Sequence, residues 1–176
     1  MAKARFRVRA VLFDMDNTLL ASRIDYAAMR REVGGWLIRE GYLTSGEAED
    51  GTTASLIQLA VGRGLDGDAL DRGWEICARH EAEGLRGASL EPGARETLER
   101  LRGRGLTLAL LTNNAEAAAE RALCETGIRH CFDIVAGRES VPELKPSPAG
   151  IRAILTRRPD IPPDRWLAVG DSWIDG

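Results

Sequence analysis

Lysine is almost missing from this chain of 176 residues. Of its 24 basic side chains only Lys3 and Lys145 are lysines, which leaves 22 arginines. A basic surplus is missing too: 27 acidic residues give a formal charge of -3, which argues against a general nucleic-acid binder. Arg5, Arg7 and Arg9 form the one basic stripe near a terminus, and it reads as the solvated approach to a first strand. No apolar run approaches the roughly 20 residues of a membrane span, and the first residues lack the apolar segment of a secretory signal. No membrane partner is therefore expected. Cysteine is sparse, and Cys77, Cys124 and Cys131 are an odd number without paired spacing. That pattern excludes a disulfide framework and suits a reducing cytoplasm. Cys124, His130 and Cys131 lie close together, yet none of the cysteines has the CxxC spacing of a structural zinc site, and each fits an apolar face.

What is present is enough apolar sequence, 44% of residues, to bury a core in a chain of one-domain length. Short apolar runs of strand length recur at residues 8–13, 106–111, 132–136 and 166–170. Helical patterns separate the later ones. Residues 94–102 place Leu98 and Leu101 on one side, and residues 115–126 follow Asn114 as a cap and stop at Gly127. Residues 148–157 follow Ser147, with Ile151, Ile154 and Leu155 on one face. Strand alternating with helix predicts an α/β fold: a doubly wound, Rossmann-like parallel sheet.

Residues 22–90 break that rhythm with helical spacing alone, at Tyr26, Met29, Val33, Trp36 and Leu37, again at Leu56, Ile57 and Ala60, and at Leu70, Trp74 and Cys77. They are expected to form a helical domain inserted into a core made of residues 1–21 and 91–176, with Glu91-Pro92-Gly93 as the return hinge.

The first apolar run ends in Asp14-x-Asp16-x-Thr18. If the extended chain continues, alternation points Asp14 and Asp16 the same way. Two like charges so close call for a cation between them or a proton on one. The second run opens into Thr112-Asn113-Asn114 ahead of a helix, where a hydroxyl and free N–H groups suit a phosphate. Lys145, in Leu144-Lys145-Pro146-Ser147-Pro148, stands out because the chain otherwise uses arginine. A compact ammonium with three donors can hold an anion beside a carboxylate. The last run ends in Gly170-Asp171, with Asp175 four residues on. In a parallel sheet these strand ends share one edge, where ligands bind. Carboxylates, a lysine and a hydroxyl gathered there describe a site for a small hard cation and a phosphate.

With these four motifs in this order, over essentially the whole chain, the sequence resembles the haloacid dehalogenase-like hydrolases. It looks most like the phosphatase branch with a helical cap of the C1 type, and like its phosphoglycolate-phosphatase members. The resemblance implies Asp14 as nucleophile and Asp16 as general acid and base. Magnesium would be held by the Asp14 carboxylate, the Asp16 carbonyl and the Asp171 carboxylate. Thr112, Asn113 and Lys145 would balance the phosphate charge, with Thr18 and Asp175 in support. The substrate would be a small phosphorylated metabolite, met by a cytoplasmic monomer or homodimer whose cap closes over it. A phosphosugar mutase shares these motifs and stays open as an alternative. A dehalogenase would not need Asp16, and a phosphorylation-receiver module would lack the insertion. Relatives continue beyond the last motif, so the C-terminal part of the core is expected to be missing here, and a catalytically incompetent fragment is a further alternative.

Overall fold

The computed structural model describes residues 8–175. Strand β1 (Ala10–Phe13) is buried along its whole length. It pairs in parallel with β4 (Thr107–Leu111), Ala10 opposite Thr107, and with β6 (Trp166–Val169), Ala10 opposite Trp166. β4 pairs in parallel with β5 (Ile134–Ala136). The order is β5-β4-β1-β6. Both faces of β1 and β4 are covered, which is why these strands read as unbroken apolar runs rather than alternating ones.

Helix α5 (Ala94–Gly103) buries Leu98 completely, and α6 (Glu116–Glu125) buries Ala119, Ala122 and Leu123 at helical spacing. Helix α7 (Ala149–Thr156) sends Ile154 into a cluster with Leu12, Ala109, Leu111, Ile134 and Ala136. Each fully buried leucine of this kind contributes about 1.5–3 kcal/mol. Ser147 accepts a hydrogen bond from the N–H of Ala149 at 3.2 Å, but the cap position of α7 is Pro148 and no side chain caps the helix, so the expected Ser147 cap lies one residue too early. Phe13 and Phe132 meet edge to face, their ring centres 6.4 Å apart. β6 is the exception to burial: as an edge strand it leaves Leu167 49% exposed.

The chain divides into two compact units, residues 1–22 with 87–176, and residues 23–86. The return boundary falls earlier than the sequence placed it. β3 (Ser89–Leu90) pairs antiparallel with β2 (Leu20–Ala21), and that hairpin-like contact draws residues 87–90 into the sheet unit. Two-residue strands carry no periodicity, so nothing in the sequence marked them.

The second unit is helical throughout: α1 (Tyr26–Arg39), α2 (Ser45–Glu49), α3 (Thr53–Val61) and α4 (Gly67–Leu85). Its core joins Met29, Val33 and Leu37 to Leu56, Ile57 and Cys77. Asp25 caps α1 through the N–H of Ala28 at 2.8 Å. Thr44 and Glu47 form a capping box on α2, a signal legible in the sequence although that helix was not foreseen. No helix among the described residues is long and apolar enough to cross a membrane.

Candidate active site

Because all four strands of the main sheet run parallel, Phe13, Leu111, Ala136 and Val169 end on one edge. The loops leaving that edge carry the site. Beyond β1 the ladder continues for one residue, the N–H of Asp14 donating to the carbonyl of Val169 at 2.9 Å. The chain then turns sharply. Asn17 takes φ +56°, a left-handed conformation that asparagine tolerates, and the N–H groups of Leu19 and Leu20 both donate to the carbonyl of Met15. Strand alternation therefore stops before Asp16, and the two acids find different partners.

Asp14 faces Lys145. The ammonium donates to Asp14 Oδ1 at 2.5 Å and to Asp175 Oδ1 at 2.6 Å, with side chains 6% exposed for the lysine and 9% for each acid. Burial pushes the Asp14 carboxyl above its ordinary range, Lys145 pulls it back, and Asp175 adds to the rise. Asp16 turns to Asn114, whose Nδ2 donates to Asp16 Oδ2 at 2.7 Å, while Oδ1 is buried without a hydrogen-bond partner. Burial raises the Asp16 carboxyl to about 6, the neighbouring Asp14 charge adds to this, and Ser22 and Asn114 oppose it.

Lys145 is held from behind. Asn113 donates from Nδ2 to the Lys145 carbonyl at 3.0 Å, and the Lys145 N–H donates to Asn113 Oδ1 at 2.9 Å. Both ends of that side-chain amide are thus engaged by the lysine backbone. Asp175 folds back over the turn after β6. Its Oδ2 accepts from the N–H of Ser172 at 3.1 Å, and it lies so close to Gly170 that a Cβ there would stand 2.4 Å from the same oxygen. Oxygens of Asp14, Asp171 and Asp175 lie within 4.8 Å of one another. Three hard carboxylate donors at that spacing fit a small divalent cation such as magnesium. The Asp16 carboxylate is not in the group.

Two expectations need correction. The helix after β4 starts at Glu116 rather than directly after Asn114, and Asn114 serves Asp16 and the N–H-to-Thr112 Oγ1 contact at 3.2 Å instead of capping it. The helix N-terminus is also not an open phosphate cradle. The loop after β5 places the Glu139 carboxylate on the N–H of Glu116 at 2.8 Å, and Gly137 allows that loop to touch the Glu116 backbone, where any Cβ would collide at 2.5 Å. Thr112 itself is 1% exposed, its N–H bonded to the carbonyl of Ala136 at 3.0 Å. Thr18 Oγ1 is buried without a partner and touches none of the acids through a hydrogen bond. Asn114 is the residue that sequence reasoning misassigned, because an asparagine before a helical pattern reads first as a cap.

A cavity of about 600 Å³ lies at the opposite edge of the sheet, lined by Arg9, Arg104, Arg158 and Arg165. Arg9 and Arg158 are already paired with Asp160 there.

The family model described as haloacid dehalogenase-like hydrolase matches residues 8–176. The chain belongs to the haloacid dehalogenase-like hydrolases. This hydrolase is 31% identical over 172 residues to a phosphoglycolate phosphatase of Cereibacter sphaeroides, covering 94% of the chain and 77% of that protein. It is 32% identical over 180 residues to a phosphoglycolate phosphatase of Pseudomonas fluorescens strain Pf0-1, covering 95% of the chain but 64% of that protein, just under two thirds. Among solved structures, a predicted phosphoglycolate phosphatase from Haemophilus somnus superposes with a TM-score of 0.64 at 28% identity, covering 96% of this hydrolase and 79% of that chain. A β-phosphoglucomutase fold from Thermotoga maritima superposes with a TM-score of 0.61 at 20% identity, covering 96% and 78%, a likeness of fold alone.

Proposed function

We propose that this hydrolase cleaves small phosphate monoesters, of the phosphoglycolate kind, through a phosphoryl group carried on Asp14. The observation that supports this most is the division of labour between two neighbouring acids. Asp14 is held by a buried ammonium beside two further carboxylates, whereas Asp16 is turned to a neutral amide with its carboxyl raised to about 6. Two acids whose surroundings drive them apart are suited to separate nucleophilic and acid–base roles.

In the first step an oxygen of Asp14 bonds to phosphorus as the ester P–O bond breaks. Asp16 gives its proton to the departing oxygen, and the alcohol leaves. Asp16, now a carboxylate, takes a proton from water as that water bonds to phosphorus. The Asp14–phosphorus bond breaks and inorganic phosphate is released. Lys145 keeps Asp14 aimed and opposes its charge, and the Thr112 hydroxyl is assigned to a phosphoryl oxygen. Asp14, Asp171 and Asp175 would hold magnesium, with the Asp16 carbonyl also assigned to it. The bound cation supplies neutralisation of the phosphoryl charge. Asp175 thus joins the ligand group in this reading, beyond the supporting part first given to it.

The test is Asp14→Asn against the parent, assayed for phosphate release from phosphoglycolate and p-nitrophenyl phosphate with magnesium and with EDTA. The expected result is a loss of at least ~10³-fold in the variant, loss in EDTA, and recovery on adding magnesium. Turnover that survives in Asp14→Asn or in EDTA rejects the reading. Phosphate moved within a sugar phosphate instead of released points to a mutase.

A further inference from the structure

Asn114 is 4% exposed, and three of its polar groups are engaged by the residues around it. Its side-chain Nδ2 donates to Asp16 Oδ2 at 2.7 Å. Its backbone N–H donates to Thr112 Oγ1 at 3.2 Å. Its carbonyl accepts from the N–H of Arg138 at 2.9 Å, which ties it to the loop after β5. A single anchored residue therefore touches both the assigned acid and the assigned hydroxyl.

We propose that Asn114 is a positioning residue that fixes the rotation of the Asp16 carboxyl through its side-chain amide and anchors the Thr112 oxygen through its own N–H. The inference rests on the phosphatase reading above and adds a residue to it. A side-chain NH₂ group can only donate, so Asp16 Oδ2 is held as an acceptor. The Ser22 hydroxyl also bonds to the Asp16 carboxyl, so Asn114 is one of two groups that fix its rotation. The same logic applies to Thr112. Its oxygen accepts from the Asn114 N–H, so its own single proton points away from that N–H and is available to a phosphoryl oxygen.

During transfer the Asp14–phosphorus bond forms and the ester P–O bond breaks. The Asp16 proton moves to the leaving oxygen, and the alcohol departs. The charge this leaves on Asp16 is met by the amide already in place, without reorganisation at the moment of reaction. Asn114 touches no reacting atom itself. Its effect passes through Asp16 and Thr112.

Two variants separate the side-chain contribution. Asn114→Ala removes the amide and keeps the backbone N–H, and Asn114→Leu removes the donor while filling the volume. The readout is the first-turnover release of the leaving group at saturating magnesium, before water attack intervenes. Phosphoglycolate has an alkyl leaving group that needs a proton, and p-nitrophenyl phosphate has one that does not. Both variants are expected to lose about 10- to 100-fold on phosphoglycolate and less than about threefold on p-nitrophenyl phosphate. Asp16→Asn should show the same split in larger measure, and Asn114→Ala added to it should cost nothing further. Equal losses on both esters, no loss on either, or a full additional loss in the double variant overturns the proposal. A split in Asp16→Asn without one in the Asn114 variants refutes this inference alone. Absence of the split in Asp16→Asn refutes the phosphatase reading and the inference with it.

Discussion

The side chain of Asn113 pairs with the backbone of Lys145 in both directions, at 3.0 and 2.9 Å, as one strand would pair with another. The lysine is thereby locked to the end of β4, 32 residues away in sequence, and its ammonium arrives between Asp14 and Asp175 already oriented. Asn113→Ala breaks both bonds and is expected to cost about 1–3 kcal/mol and to lower turnover through a misplaced ammonium. Chemical denaturation and steady-state kinetics check it. Unchanged turnover would show that Lys145 needs no such support.

Lys145→Met removes the one cation between two buried carboxylates. Without metal, Asp14 and Asp175 then face each other unbalanced, and a loss of about 3–5 kcal/mol is expected. Millimolar magnesium should recover part of it, because binding to the folded chain adds stability by mass action. Lys145→Arg is expected not to restore activity, since a planar fork cannot take the place of a compact ammonium between two acids. Denaturation with and without magnesium reads both effects, and a loss insensitive to the metal would separate Lys145 from the cation site.

Gly170→Ala places a Cβ 2.4 Å from Asp175 Oδ2 and 2.5 Å from its Cβ, so the whole acid must shift. Magnesium affinity is expected to fall about 10- to 100-fold, with Lys145 keeping only Asp14. Titration of the metal followed by calorimetry or by activity measures this. An unaltered affinity would remove Asp175 from the ligand group.

The pH dependence of stability carries a definite sign. Asp16 stands near 6 in the folded chain against 3.8 for the free side chain. Between those values the folded chain keeps a proton that the unfolded chain has lost, so this group's stabilising effect is complete below 3.8 and disappears as pH rises through about 6. The change is on the order of 3 kcal/mol. Glu32 and Asp160, pulled down by hydrogen bonds from His80 and Arg158, act in the opposite sense, and comparison with Asp16→Asn cancels them. In EDTA, the stability of Asp16→Asn relative to the parent should rise by about that amount between pH ~4 and ~7. A difference that stays flat with pH would place Asp16 at an ordinary carboxyl value.

Much of the layout was legible before any coordinates. The four apolar runs became the four parallel strands. β1, β4 and β5 are apolar because they are buried along their length, whereas β6 is an apolar strand left at an exposed edge. The lone internal lysine pointed to a place where arginine would not serve. The antiparallel pairing of β2 with β3 was not legible, since two-residue strands leave no period. The roles of Asn113 and Asn114 were hidden for another reason. A side-chain amide next to a helix start has several local uses, and only packing selects among them.

By itself the sequence determined which residue types stand at the strand ends, and hence that acids, a lysine and a hydroxyl would share one rim of the sheet. The tertiary structure alone decided their pairings. The turn at Asn17 parts Asp16 from Asp14, and the loop after β5 fills the α6 N-terminus with Glu139. Gly170 lets Asp175 fold back onto Lys145. Such contacts depend on chain segments far apart in sequence meeting at angstrom precision, and buried polar groups accept only the partner that completes their hydrogen bonds.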